Sequence, residues 1–291
     1  MVPVTKKIKV VNVPNKGRFP YCYCMLITDH VRAMIDTSCE EKQARAIAAQ
    51  GLDLIINTHF HEDHIMFNWI FDKSQIWAHS LDAPAIRSLD LWKELFGFSY
   101  YGDDEIGDTY RKNIKTQSSP VHKELRDGEL IDLGTVKLRV LHTPGHTRGH
   151  CSYFEENEGI LYAGEITLSN FGPWYGHLDS DIDQYIKSIE RCKELRPRLV
   201  ISSHLGIIND DIDKRMQAFL DRIHEKENII LNELNIPQTL EQLTEKKLYY
   251  GTSRQLPHFR MFFEKVAVHK HLQRLTAAKR IASENGVYFK I

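Results

Sequence analysis

Three imidazoles and two carboxylates stand within six consecutive residues, His59-Phe60-His61-Glu62-Asp63-His64. Imidazole nitrogens and carboxylate oxygens suit zinc, iron or manganese. Ligands packed this closely on a turn splay to opposite sides, which favours two ions over one. The run follows an apolar, strand-like segment, Leu52 to Ile56, and a strand would deliver it to a sheet edge. The alternative, a solvated polar turn with a chance histidine cluster, gives no reason for that strand.

Three further segments have the same form. His142-Thr143-Pro144-Gly145-His146 follows the alternating stretch Val136 to Leu141, and Pro144-Gly145 forces a tight turn that presents His146 at the strand's end. Leu161-Tyr162-Ala163-Gly164 runs into Glu165, and Leu199-Val200-Ile201-Ser202-Ser203 runs into His204. Four strand-like segments thus each end in a side chain of the kind that binds metals.

At these residues the chain resembles the metallo-β-lactamase superfamily. Thr58 to His64 fits its T-H-x-H-x-D-H signature, His142 to His146 its H-T-P-G-H turn, and His204 its late histidine, in the expected order over residues 6 to about 206. The resemblance implies one ion on His59, His61 and His146 and a second on Asp63, His64 and His204, with Asp63 also orienting the nucleophile. Glu165 stands where the family usually has an aspartate bridging both ions; its longer side chain would bridge, bind one ion only, or move the metal preference away from zinc. The implied cofactor is two divalent ions, zinc first, with iron or manganese as alternatives. A divalent ion lowers the pKa of bound water from about 15.7 to near 7, supplying hydroxide at neutral pH, and a second ion stabilises developing negative charge. The histidines must be neutral to coordinate, and their second nitrogens need acceptors; Asp36 and the backbone near Ser202 are the expected ones.

Composition agrees with such an enzyme. The chain of 291 residues suggests one large domain plus a smaller one. With 42% hydrophobic and 26% charged residues and a formal net charge of −1, it shows neither a disordered composition nor a strongly basic nucleic-acid footprint. The five cysteines, Cys22, Cys24, Cys39, Cys151 and Cys192, read as reduced, buried thiols. No run of 18 apolar residues occurs, and the first residues lack the apolar stretch of a secretory leader, so a cytoplasmic location and no membrane contact are expected.

The coarse pattern is strand over 6–13, 21–28 and 31–35, helix from Glu40 to Gln50, and strand from Leu52 to Asn57. This order fits the α/β class and the family's αββα sandwich, two sheets face to face with helices outside and the metals along one rim. The catalytic domain is placed at 1–209, with 82–120 as a lid-like insertion. Its aromatic stretch Leu89 to Phe98 reads as a lid or substrate wall, or else as a dimer contact or core packing. A homodimer therefore stays among the expectations.

In the loop Ser169 to His177, Tyr175 or His177 is available to donate a proton or hydrogen bond to substrate. Leu168 occupies the place where the lactonase branch carries a tyrosine, which counts against acyl-homoserine-lactone hydrolysis. His79, His122, His142 and His150 are read as surface histidines or supports for the ligands, and His258, His269 and His271 as too distant for the rim. Residues 210–291 form a smaller, mostly helical, winged-helix-like domain: a helix from Asp210 to Asn235, a capping box at Thr239, an apolar-periodic segment Phe259 to Ala278, and a hairpin on Asn285-Gly286. Lys265, Lys270, Arg274, Lys279 and Arg280 could touch nucleic acid, although a solvated helix face or dimer surface is preferred. The expected function is dinuclear metal-dependent hydrolysis of a small-molecule ester, thioester or lactone with an apolar part, similar to hydroxyacylglutathione hydrolases. The alternatives are a metal-dependent phosphodiesterase or endoribonuclease, and a non-hydrolytic diiron redox or oxygen-binding protein. Flavodiiron relatives carry glutamate where this chain keeps His61, which counts against the last.

Overall fold

A computed structural model describes residues 1–251 and 258–291. Seven strands form the first sheet in chain order: β1 (Val2–Pro3), β2 (Ile8–Val10), β3 (Met25–Thr28), β4 (Arg32–Ile35), β5 (Leu54–Ile56), β6 (Gln75–His79) and β7 (Lys123–Leu125). The second sheet holds β8 (Leu130–Asp132), β9 (Lys137–His142), β10 (Cys151–Glu155), β11 (Ile160–Gly164), β12 (Leu199–Ser202) and β13 (Gly206–Ile208), again in sequence order. Strands β4 to β7 pair in parallel, and Leu54-Ile55-Ile56 is buried throughout, as an apolar run in a parallel strand covered on both faces must be.

The layers are an αββα sandwich. Ile27, Ile35 and Ile56 of the first sheet meet Val140, Tyr153 and Ile201 of the second in one central core. Outside the first sheet, Ala44 and Ile47 of α1 (Glu41–Ala49) pack with Leu26, Met34 and Ile55. The short α2 (Glu62–Ile65) follows β5 at the rim. Outside the second sheet, α6 (Ile182–Glu194) lays Ile182, Tyr185 and Ile189 on Leu161 and Val200. Asp181 caps α6 by accepting the Gln184 backbone N–H.

The 82–120 stretch forms three short helices, α3 (Ala83–Arg87), α4 (Leu89–Phe96) and α5 (Asp104–Asn113). Trp92, Phe96 and Phe98 are buried against Phe262, Phe263 and Val266. Of the readings of the aromatic stretch, core packing describes its inner face.

Helix α7 (Ile212–Glu233) continues the core from one unit into the next. Its Met216, Phe219 and Ile223 join the second sheet's outer cluster, while Ile230 and Leu231 pack with Leu243 of α8 (Leu240–Glu245) and Leu272 of α9 (His258–Ala277). The capping box at Thr239 and Gln242 forms as read. The two-residue hairpin joins β15 (Ile281–Glu284) to β16 (Val287–Lys290), with Asn285 at φ 50° and Gly286 at φ 78°, the left-handed pair this turn requires. Strand β14 (Gln238–Thr239) completes a small third sheet. The described tail is thus mainly helical with one small sheet.

Of the five basic tail residues named from the sequence, Lys279 is exposed and the other four are engaged internally. Arg274 pairs with Asp183 and Glu227, Arg280 with Glu227, Lys270 donates to the carbonyls of Leu178 and Ser180, and Lys265 donates to Tyr101 O. Among the described residues no helix is long and apolar enough to cross a membrane. All five cysteines are buried and free.

Candidate metal centre

The strand ends of both sheets converge on one rim. The chain leaves β5 at Ile56 and turns at once, carrying His59 and His61 inward and placing Asp63 and His64 on α2. Pro144-Gly145 turns the chain after β9; Gly145 has φ 130°, and a Cβ there would lie 2.3 Å from the Tyr185 backbone, so only glycine lets this turn seat against α6. Gly164 ends β11 at φ 56°, and a Cβ there would meet His150 Nε2 at 2.4 Å.

Two groups of side chains result. His59, His61 and His146 form the first, and Asp63, His64, Glu165 and His204 the second; within each group the ligand-type atoms lie within 4.8 Å of one another. In the first group, His146 Nε2 is 3.1 Å from His59 Nε2 and 2.9 Å from His61 Nδ1. Nitrogens bound tetrahedrally to zinc at 2.0–2.1 Å stand about 3.3 Å apart.

The outer nitrogens show what the inner ones carry. His146 Nδ1–H donates to Trp174 O at 2.9 Å, which leaves a bare lone pair on Nε2 when the ring is neutral. Thr58 has a single hydroxyl proton and gives it to Asp36 at 2.9 Å, so it accepts from His59 Nδ1–H, and His59 Nε2 is bare as well. Burial and the neighbouring imidazoles hold His59 and His61 well below the usual histidine range, and burial lowers His146 to about 4. Neutral rings with lone pairs face to face repel unless they share a cation. The donor set therefore fits a metal ion.

The second group follows the same plan with more oxygen. His64 Nδ1–H donates to Asp36 Oδ2 at 2.7 Å, and its Nε2 lies 3.0 Å from Glu165 Oε1. His204 Nδ1–H donates to the Gly17 carbonyl at 2.5 Å, and its Nε2 lies 2.7 Å from Glu165 Oε1 and 3.5 Å from Asp63 Oδ2. Burial opposes charge on His204, but Glu165 and Asp63 outweigh it and raise its pKa to about 9. His64 is likewise raised against the pull of burial, by Cys22 and Asp36. Burial would raise Glu165, yet His204 and His64 bring it well below the usual carboxylate range. Asp63 is raised, mainly by burial.

Asp36 meets the expectation that it would serve an outer imidazole nitrogen. The backbone near Ser202 does not; the partner of His204 is Gly17, 187 residues earlier. Three further supports surround the ligands, of which only His150 was among the histidines read as surface or supporting. Asp82, itself raised to about 7 by burial, accepts from Phe60 N, Gly149 N and Thr147 Oγ1 and so ties the first histidine turn to the second. His150 Nδ1–H donates to Thr143 O, leaving Nε2 to accept the Glu165 N–H at 3.0 Å. Tyr185 donates to the Glu165 carbonyl at 2.6 Å. His150 lay beside a recognised turn and could have been weighted more heavily; nothing in the local sequence marks Asp82.

The remaining expectations fall outside the open face. Tyr175 is fully buried, with its hydroxyl bonded to His271 Nε2 at 2.8 Å. His177 is fully buried beside His61, ring centroids 4.7 Å apart. Neither lines the cavity over the two groups, because the loop that carries them tucks under α9 and leaves Trp174 to face the opening. His271, read as too distant, is thus linked to the loop next to His146. The side chain of His258 lies outside the described residues.

A cavity of about 530 Å³ opens over the two groups. His61, Asp63, His146, Glu165 and His204 form its floor, and Phe96, Tyr110, Phe171, Trp174 and Phe263 contribute apolar walls. Arg18 and Arg260 also line it.

The fold and this donor arrangement define a class of metal-binding αββα proteins, and residues 17–204 match the sequence profile of the metallo-β-lactamase superfamily. The chain belongs to that superfamily. It is 27% identical over 172 residues to the acyl-coenzyme A thioesterase MBLAC2 of Homo sapiens, covering 57% of this chain and 59% of that one. It is 24% identical over 222 residues to a hydroxyacylglutathione hydrolase of Prochlorococcus marinus, covering 67% of this chain and 89% of the relative. A crystal structure of a metallo-β-lactamase family protein from Thermus thermophilus superposes with a TM-score of 0.78 at 22% identity, covering 99% of this chain and 100% of the other. That likeness of fold includes the helical tail.

Proposed function

We propose that this protein is a dinuclear metal-dependent hydrolase acting on a small acyl thioester or ester with an apolar part. His59, His61 and His146 would hold one ion, and Asp63, His64, Glu165 and His204 the other. The observation that carries this reading is the orientation of four of the five imidazoles, His59, His64, His146 and His204: outer nitrogens bonded to fixed acceptors, inner nitrogens converging. Such partners fix the ring and its tautomer. A nitrogen-only first group suits zinc, while the oxygen-richer second group also suits iron or manganese.

When bound, such ions supply an activated water and a Lewis acid for the acyl oxygen. The protein's own groups do the rest. Asp63 faces the cavity, where its carboxylate can accept a hydrogen bond from an attacking water and so direct it. Phe96, Trp174 and Phe263 exclude bulk water and seat an apolar group. Arg18 and Arg260 place positive charge beside the opening for an anionic thiol carrier, in keeping with the acyl-coenzyme A thioesterase name of the human relative.

The tail supports a small substrate better than a nucleic acid, since Lys265, Lys270, Arg274 and Arg280 are spent on internal partners. We place the boundary between catalytic and helical parts at 209–210, with a winged-helix-like arrangement after it. Assays on acyl thioesters, aryl esters, lactones and bis-(p-nitrophenyl) phosphate test the reaction class. Thioester turnover supports it; turnover of the phosphodiester alone contradicts it.

A further inference from the structure

A second cavity, about 660 Å³, lies beside the first. Phe19, Glu62, Tyr110 and Phe259 line both, so the two share a wall, and a neck between them would run past these four residues. Beyond that wall the second cavity is bounded by Pro20, Tyr21, Met66, Ile106 and Ile114, with Glu105, Thr109, Asn113 and Lys115 also in its lining. Its outer side is built by α5 and the residues after it, within the insertion.

The neck is polar on one side. Glu62 is 3% exposed; Tyr110 donates its hydroxyl to Oε1, while Oε2 has no hydrogen-bond partner among the described residues. Glu62 also adjoins Asp63 in sequence, so the neck begins at the floor of the first cavity. A chain attached to a carbonyl seated there would reach the second cavity by passing Phe19, Tyr110 and Phe259.

We infer that the second cavity is the binding site for the acyl arm of the substrate, an aliphatic chain that leaves the reacting carbonyl, passes the Glu62–Tyr110 neck and lies among Phe19, Met66, Ile106 and Ile114. This rests on the hydrolase reading above and assigns the two arms of its substrate. The acyl chain goes toward α5, and the leaving thiol or alcohol goes out past Arg18 and Arg260. A cavity of this size falls in the range of pockets that enclose small ligands, roughly 300–1,000 Å³. Each methylene taken from water into it should tighten binding about three- to fourfold.

Two substrate series on the metal-loaded full chain test the assignment. In one, the acyl group of an N-acetylcysteamine thioester is lengthened from acetyl to dodecanoyl; in the other, the acyl group stays acetyl and the thiol is lengthened. The expected result is a fall in KM of about three- to fourfold per methylene in the first series until the cavity is filled, and a much shallower trend in the second. Ile114→Trp and Ile106→Trp, which fill the cavity, should lower the ratio of decanoyl to acetyl kcat/KM at least tenfold. A flat acyl series, a steeper thiol series, or an unchanged ratio in both folded variants overturns the inference. Displacement of a fluorescent fatty acid by decanoate, measured without turnover, separates this failure from that of the reaction class. Binding lost in both tryptophan variants supports the cavity even if thioesters are not cleaved, and binding untouched by them overturns it.

Discussion

His64 Nδ1 lies 2.7 Å from Asp36 Oδ2, both side chains fully buried, so a carboxylate at the end of β4 sets the direction in which the imidazole at the end of β5 points. Asp36 also accepts from the Thr58 backbone N–H and hydroxyl, and Thr58 in turn receives His59 Nδ1–H. One carboxylate therefore orients an imidazole in each group. Asp36→Asn is expected to weaken metal affinity roughly 10- to 100-fold, measured by competition with a chromogenic chelator. Affinity within twofold of wild type would mean that the rings are held by packing alone.

Glu165→Ala should remove an oxygen from the second group only, because Oε1 lies against His64 and His204. Elemental analysis should find one ion retained near full occupancy and the other depleted. Two ions held as tightly as in wild type would exclude Glu165 as a ligand.

The two groups should respond differently to pH. His146 sits at about 4 and burial holds His59 and His61 below the usual range, so the first group is already deprotonated above about pH 5 and its affinity should be flat there. His204 is raised to about 9. Below that pH a metal ion entering the second group must displace its proton, and affinity should climb roughly tenfold per pH unit per proton until the slope falls off near 9. Calorimetry in buffers of different ionisation enthalpy counts the protons released; none released at pH 7 as the second group fills would contradict this assignment.

Much of this was legible from the chain because each donor sits at the end of a strand, where apolar periodicity and a Gly or Pro turn mark the position. His59, Glu165 and His204 are local signals of that kind. Of the supports, Asp36 was named and His150 allowed for, but Asp82 and Gly17 were not, since they act through contacts set by how the two sheets face each other. The same holds for Leu89 to Phe98: its amphipathicity announced a buried face but not the partner, which is α9, about 165 residues further on. Tyr175 and His177 looked available because the Gly-Pro-Trp-Tyr-Gly loop gives no sign of which of its rings faces the cavity.

The packing of α4 carries a stability prediction. Trp92 is fully buried among Phe96, Tyr110 and the α9 aromatics. Trp92→Ala should cost about 3–5 kcal/mol in denaturant unfolding. A cost under about 1 kcal/mol would mean that the stretch is a mobile cover instead.

Asp82→Ala should lower stability by roughly 3 kcal/mol, since it strands three buried donors at once. It should also weaken the first group's metal binding by loosening Phe60 and Thr147, the neighbours of His59, His61 and His146. Unfolding and metal titration on one preparation check both effects; an unchanged midpoint and affinity would rule out the support role.

The most direct test is metal content read against activity on one sample. Elemental analysis of the purified chain should find two divalent ions per molecule; exhaustive chelation should abolish thioester hydrolysis, and returning two equivalents of zinc should restore it. Full activity in the chelated, metal-free protein would contradict the account.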